Sequence, residues 1–181
     1  TFVGYGIFLF LLVKIKRLLK GGKPGFNNAD LLPTCTLVVA AYNEADDICE
    51  KIINTLALTY PADKLKFVFI TDGSTDNTPG IIAEYPQIIL LHQDERAGKI
   101  AAVHRAMQYI DTDAVVFTDA NTMLNADALQ KICRHYTDKK VGAVAGEKRV
   151  AMQITDDASA AGEGFYWKYE SALKNWDSEL Y

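Results

Sequence analysis

The chain has 181 residues, about half of them apolar, which suffices for one sizeable core and is too few for two ordinary domains. Its net charge is −4, yet Lys14, Lys16, Arg17, Lys20 and Lys23 fall in the first 23 residues with no acid among them, so the rest carries about −9. So acidic a body speaks against a nucleic-acid partner, and three cysteines far apart in sequence (Cys35, Cys49, Cys133), with no CxxC or Cys/His spacing, speak against a zinc site or disulfide framework. The cysteines read as reduced thiols of a core.

In chain order, Phe2 to Val13 is almost wholly apolar and Lys14 to Lys20 is basic. Spanning a bilayer takes about 20 apolar residues, so residues 1–20 are expected to be a membrane-proximal helix or the inner end of a transmembrane one. The competing expectation is an amphipathic helix belonging to the soluble fold. Basic residues after the apolar run, not before it, argue against a signal peptide and favour a body on the cytoplasmic side of a cell membrane. Gly21, Gly22, Pro24 and Gly25 with Asn27, Asn28 and Asp30 read as a linker over 21–31. The domain proper is expected over 32–181.

Within it, Cys35 to Ala40, Phe67 to Thr71, Ile88 to His92, Ala114 to Thr118 and Val141 to Gly146 read as strands. Their continuous apolar runs predict burial on both faces. Between them Ala45 to Leu58 places Ile48, Ile52 and Leu56 on one helical stripe, Lys99 to Ile110 places Val103, Met107 and Ile110 on another, and Asn125 to Tyr136 is a third helix. Thr78 before Pro79 predicts an N-cap with proline at the first helical position. The chain from Thr155 to Tyr181 reads helical and aromatic. Alternating strands and helices imply an α/β fold with a mostly parallel sheet.

The unusual polar residues fall just past strand ends, where open α/β sheets bind ligands. They are Ala41-Tyr42-Asn43-Glu44, then Asp72-Gly73-Ser74-Thr75-Asp76, then Arg96-Ala97-Gly98-Lys99, and finally Asp119-Ala120-Asn121. Carboxylates, a cationic pair and hard oxygen ligands suit a nucleoside diphosphate joined to a sugar. Asp72 is a pure acceptor for a uracil N–H or a ribose hydroxyl. Lys99, at a helix start with backbone N–H groups free near Gly98, faces a diphosphate, a task Arg96 can share. Asp119 and Asn121, on one side in extended geometry, offer oxygens to Mg2+ or Mn2+.

Each motif also has a plainer reading. Asn43, Asp76 and Asn125 are common turn formers or caps. His92, His104 and His135 share no spacing and receive no role. Phe165, Tyr166, Trp167 and Tyr169 read as packing more than as an acceptor channel, and Glu147, Glu163 and Glu170 are not assigned. Neither GxxxxGK[ST] nor GxGxxG occurs, which removes P-loop hydrolysis and dinucleotide binding. A phosphatase with a strand-end nucleophile needs Asp-x-Asp after the first strand, where Ala-Tyr-Asn-Glu stands.

From Leu32 onward these four motifs, in order, resemble the family 2 glycosyltransferases of the GT-A fold. The resemblance implies a Rossmann-like sheet with flanking helices, incomplete at the carboxyl end, and an inverting transfer from a UDP-sugar donor to a glycan or lipid acceptor. It places Tyr42 and Glu44 near the nucleotide, Asp72 at uracil, Lys99 near the diphosphate and a metal at the Asp119 motif; Ala41, Arg96 and Asn121 complete the expected donor-binding set, with Asp119 and Asn121 as the expected metal ligands. Asn121 stands where the family usually has an acid. Gly162 to Glu170 resembles a stretch of membrane-bound, polysaccharide-making members. The family's catalytic base and Gln-x-x-Arg-Trp motif have no counterpart before Tyr181, so the base is expected beyond it. A non-catalytic nucleotide-sugar-binding domain is the alternative.

Overall fold

Strand β1, Cys35–Ala41, is the most thoroughly buried run of the body: six of its seven residues are inaccessible. The computed structural model describes residues 2–20, 32–147, 169–177 and 179–180. The other strands are β2 (Leu65–Asp72), β3 (Ile88–Gln93) and β4 (Ala114–Asp119). Together they form one sheet ordered β3-β2-β1-β4, and all three pairings are parallel. Parallel neighbours need crossovers, which are supplied by helices α2 (Ile48–Leu56), α3 (Thr78–Ala83) and α4 (Lys99–Met107); α5 (Ala128–Cys133) follows β4. The amino-terminal helix α1 spans Phe2–Lys20.

Alternate residues of a strand point to opposite faces. Accordingly Leu37 and Val39 of β1 enter one core with Phe69, with Ile48 and Ile52 of α2, Ile82 of α3 and Leu129 of α5. Val38 joins Val68 and Ile70 in a second core against Ala102 and Ala106 of α4. Three helices thus cover one face and α4 the other.

Several expectations are corrected here. Val141 to Gly146 is not a strand: residues 141–147 carry no regular structure and are mostly exposed, and two glycines in a short apolar run weaken any strand tendency. The outer strands are not buried on both faces, since Ile89 on β3 and Phe117 on β4 are exposed. Helix α4 turns Ala102 and Ala106 inward, not Val103 and Met107; alanines let the helix lie close to the sheet, and Met107 is exposed. The N-cap of α3 is Asn77, one residue before Thr78, with no side-chain cap bond. The third predicted helix shortens to α5 and ends in a 3-10 turn over Arg134–Thr137.

The described residues divide into two compact units, one within 27–144 and one within 1–26 and 145–181. In the second, α1 buries Leu9 and Val13, four apart and therefore on one stripe. Phe10 meets Trp176 with ring centroids 5.3 Å apart, and Arg17 donates from Nε and Nη2 to the Glu179 carboxylate, both at 3.1 Å. The expected carboxyl-terminal helix is seen over 169–177 and 179–180. Glu170 is paired with Lys174 at 2.8 Å. Phe165, Tyr166, Trp167, Glu163 and the linker 21–31 lie outside the described residues. Among the described residues no helix is long and apolar enough to cross a membrane, although Ile7, Phe8, Leu11, Ile15, Leu18 and Leu19 of α1 are exposed.

Candidate functional site

All four polar loops leave the same edge of the sheet because all four strands run the same way. Several hydrogen bonds hold the first loop against the second. Asn43 adopts a left-handed backbone (φ 52°), and its Oδ1 accepts from the Thr75 N–H at 2.8 Å. Asp76 Oδ2 accepts from the Ala45 N–H at 2.9 Å, while Oδ1 accepts from the Thr78 hydroxyl at 2.6 Å. The Thr78 hydroxyl in turn accepts from the Glu44 N–H at 2.9 Å. The bond from Thr78 holds the Asp76 carboxyl below its ordinary pKa. Asn43 and Asp76 are therefore the turn builders of the plainer reading.

Asp72, at the end of β2, organises the third loop. Its Oδ2 accepts from the N–H groups of Ala97 at 2.9 Å and Gly98 at 2.6 Å. This corrects the expectation that N–H groups near Gly98 are free for a diphosphate: these two are held by Asp72. Arg105 Nη1 lies 3.5 Å from Asp72 Oδ1, with Nη2 donating to the Thr71 carbonyl at 3.1 Å and Nη1 to the Gln93 side chain. Asp72 Oδ1 is buried without a hydrogen-bond partner among the described residues. Gly73 is obligatory, with φ +70° and a close approach in which an added Cβ would lie 2.6 Å from Arg96 Cβ.

Arg96 spreads its guanidinium over the Tyr42 ring at 3.9 Å, a cation–π contact joining the first loop to the third. Lys99, first residue of α4, reaches across to β4, its Nζ 2.6 Å from Asp119 Oδ1. The backbone turns at 119–122, with the Thr122 N–H donating to the Asp119 carbonyl at 3.2 Å, so Asp119 and Asn121 do not sit in one extended segment as expected. Both nevertheless reach the same wall. A cavity of about 220 Å³ is lined by Ala41, Tyr42, Glu44, Asp72, Arg96, Lys99, Asp119 and Asn121, along with Ala40, Ile70, Gly98 and Ala102. Burial, and then the negative charges of Asp47, Asp76 and Asp119, push the Glu44 carboxyl up.

Asp119 and Asn121 suit a hard divalent cation as a partial set. Among the described residues no three His, Cys, Asp or Glu side chains gather to hold one. Magnesium-type ions take one or two carboxylates and complete their shell with substrate phosphate and water, so the set fits a metal arriving with a diphosphate.

Sequence reasoning passed over two features. Lys51 of α2 is fully buried; its Nζ donates to Thr118 Oγ1 at 3.2 Å and to the Thr122 carbonyl. Burial pushes its pKa down to about 8, partly offset by Asp119. Cys35 and Cys133, distant in sequence, are neighbours in the core, where their mutual contact and burial drive the Cys35 thiol up. Of the histidines given no role, His92 is an ordinary hydrogen-bonded imidazole, with Nδ1 2.7 Å from Thr71 Oγ1 and Nε2 3.0 Å from Asp94 Oδ1.

The sequence profile described as "Glycosyl transferase family 2" matches residues 36–178. The chain is 33% identical over 149 residues to a poly-beta-1,6-N-acetyl-D-glucosamine synthase of Staphylococcus aureus, covering 80% of this chain and 35% of that protein. It is 31% identical to the beta-monoglucosyldiacylglycerol synthase of a Nostoc species, covering 81% of this chain and 31% of that one. It therefore spans about a third of the length of these relatives. A mannosyltransferase of Pyrobaculum calidifontis, solved with GDP-Man and Mn2+, superposes with a TM-score of 0.70 at 32% identity, over 82% of this chain and 44% of that one. TarS of S. aureus superposes at 0.51 with 20% identity, over 54% and 30%, a likeness of fold alone.

Proposed function

Because the chain belongs to glycosyl transferase family 2 and has its GT-A type of parallel sheet with flanking helices, we propose that the 220 Å³ cavity holds the nucleoside diphosphate of a sugar donor. The carrying observation is the convergence of four loops, separated in sequence, on one cavity whose lining includes two cations, three carboxylates and an amide. Full ligand pockets run to roughly 300–1,000 Å³, so this volume suits part of a donor, with the acceptor side supplied elsewhere.

In this reading Asp72 Oδ1, which has Arg105 at 3.5 Å but accepts no hydrogen bond among the described residues, accepts a base N–H, and UDP is the donor nucleotide. Arg96, stacked on Tyr42, and Lys99 take the diphosphate, while Ala41 and Glu44 line the nucleotide side. Asp119 and Asn121 hold Mg2+ or Mn2+, which supplies Lewis-acid charge neutralisation at the diphosphate; the related mannosyltransferase was solved with Mn2+. The reaction is an inverting transfer: an acceptor hydroxyl oxygen forms the new bond to the anomeric carbon as the bond to the diphosphate oxygen breaks, the electron pair leaving with the diphosphate. Lys99 and Arg96 stabilise the charge that develops there, more in the transition state than before it. The proton of the acceptor hydroxyl passes to a base that none of the cavity residues is assigned to be.

The acceptor is a glycan or lipid, in keeping with what two relatives are named for making. The site of action is the cytoplasmic face of a cell membrane, supported by the exposed apolar residues of α1 followed by Lys14, Lys16 and Arg17.

Calorimetric titration tests the donor assignment. The chain should bind UDP more tightly with Mn2+ than without, and Asp72→Ala and Lys99→Ala should each abolish or cut binding by at least tenfold. Wild-type affinity in both variants would sink the proposal. GDP titrated alongside tests the choice of base.

A further inference from the structure

Lysine is among the costliest side chains to bury, because its ammonium exchanges water for whatever partners the interior offers. Lys51 is nevertheless 0% exposed and, among the described residues, the largest fully buried side chain. Its position on α2, one residue before Ile52 of the core stripe, aims it at the sheet beside β4. The partners it finds are two neutral oxygens, Thr118 Oγ1 and the Thr122 carbonyl. They bracket Asp119 and Asn121, which line the cavity. Among the described residues Lys51 forms no ion pair with a carboxylate.

Anchoring that loop does not by itself call for a charge. Asn54, one turn further along α2, anchors the same segment with a neutral amide, donating to the Leu124 carbonyl at 2.8 Å and accepting from the Leu124 N–H at 2.9 Å. Replacing Lys51 by a second amide would keep an anchor and avoid the burial cost. What remains distinctive is an ammonium shut off from solvent behind the wall formed by Asp119 and Asn121, near enough to Asp119 to feel its charge but in no ion pair with it.

Resting on the donor-site reading above, we propose that Lys51 is a positioning residue that acts by charge: its buried ammonium sits behind the Asp119–Asn121 wall and raises the affinity of the cavity for the diphosphate of the donor. It touches no ligand. Its field reaches the cavity through protein, where screening is weak. The side chain of Asn121 is an uncharged amide and adds no negative charge to this wall.

The test compares UDP with uridine, which lacks the diphosphate, by NMR titration of the full chain without metal. Lys51→Gln keeps a donor and loses the charge; Lys51→Met loses both. Both variants should lower the ratio of UDP to uridine affinity on the order of tenfold and leave uridine affinity unchanged. A ratio retained in Lys51→Gln would reduce Lys51 to a loop anchor and overturn the proposal, as would a parallel loss of uridine and UDP binding. Should both variants fail to melt cooperatively, the 15N resonance of the Lys51 ammonium in the wild-type chain decides: a shift on adding UDP and none on adding uridine supports the proposal, and equal responses overturn it. If the wild-type chain binds neither ligand and Asp72→Ala changes nothing, the donor-site reading falls and this inference with it. If UDP binds, Asp72→Ala abolishes it and the Lys51 ratio is unchanged, only this inference falls.

Discussion

Lys99 and Asp119 are ion-paired across the cavity at 2.6 Å, so the cation suited to a diphosphate and the carboxylate suited to a metal neutralise one another. Both side chains are more than half exposed, and the pair itself therefore adds little to stability. Its meaning is competitive: a diphosphate draws Lys99 away, and a divalent cation draws Asp119 away.

Asp119→Asn separates these effects. With its partner neutralised, Lys99 is free, and metal-free UDP affinity should rise about threefold to tenfold. The further gain produced by Mn2+ in the wild-type chain should disappear. Calorimetry with and without Mn2+ reads both, and a variant that still gains from Mn2+ would show that Asp119 is not the metal-binding carboxylate.

Arg105→Leu leaves Asp72 buried with no counter-charge. Removing one member of a buried pair costs about 3–5 kcal/mol; the Arg105 side chain is 22% exposed and the separation is 3.5 Å, so about 2 kcal/mol is expected once screening is allowed for. The melting temperature should fall by about 4–8 °C. An unchanged melt would mean that the two N–H groups of Ala97 and Gly98 suffice to hold the carboxylate.

Gly73→Ala forces a side chain into a left-handed backbone and onto Arg96. The backbone term alone is about 1–2 kcal/mol, and displacing Arg96 breaks its stacking on Tyr42. Thermal melting should register the first effect. A UDP affinity lowered more than that of uridine should register the second.

Acid weakens the tethers of the first loop. The Asp76 pKa is depressed in the folded chain by the Thr78 hydroxyl bond, so the unfolded chain binds the proton more readily. The stabilisation is complete above the ordinary carboxyl value of 3.8 and is lost as pH falls through the lower folded value. Asp76→Asn should remove this part of the acid sensitivity, measured as the difference between wild-type and variant melting temperatures from pH 6 down to pH 3.

The cavity was readable in the sequence because each polar loop interrupts an apolar run at a strand end, and four parallel strands deliver their carboxyl ends to one edge. Lys51 was not readable: between Ile48 and Ile52 it has the look of a solvated helix residue, and only the packing of α2 on the sheet turns it inward. The contact between Cys35 and Cys133 is likewise a product of tertiary packing, since α5 returns to the start of β1 over a separation no spacing rule covers. The strand expected at Val141 failed for a related reason. An apolar run becomes a strand when a neighbouring strand pairs with it, and among the described residues no strand of the sheet pairs with 141–147. The stripe on α4 was misplaced because alanine carries little weight in an apolar pattern, although its small size is what brings the helix close.

The shared direction of the four strands also sorts the molecule by tolerance to change. At their starting ends, Thr34 bonds to Asp113 and Lys66 to Asp111 on the exposed surface, well removed from any cavity-lining residue along each strand. A library of random insertions should accordingly divide by strand end: additions in the turns before β2, β3 and β4 leave nucleotide binding intact, and additions of the same length after those strands abolish it.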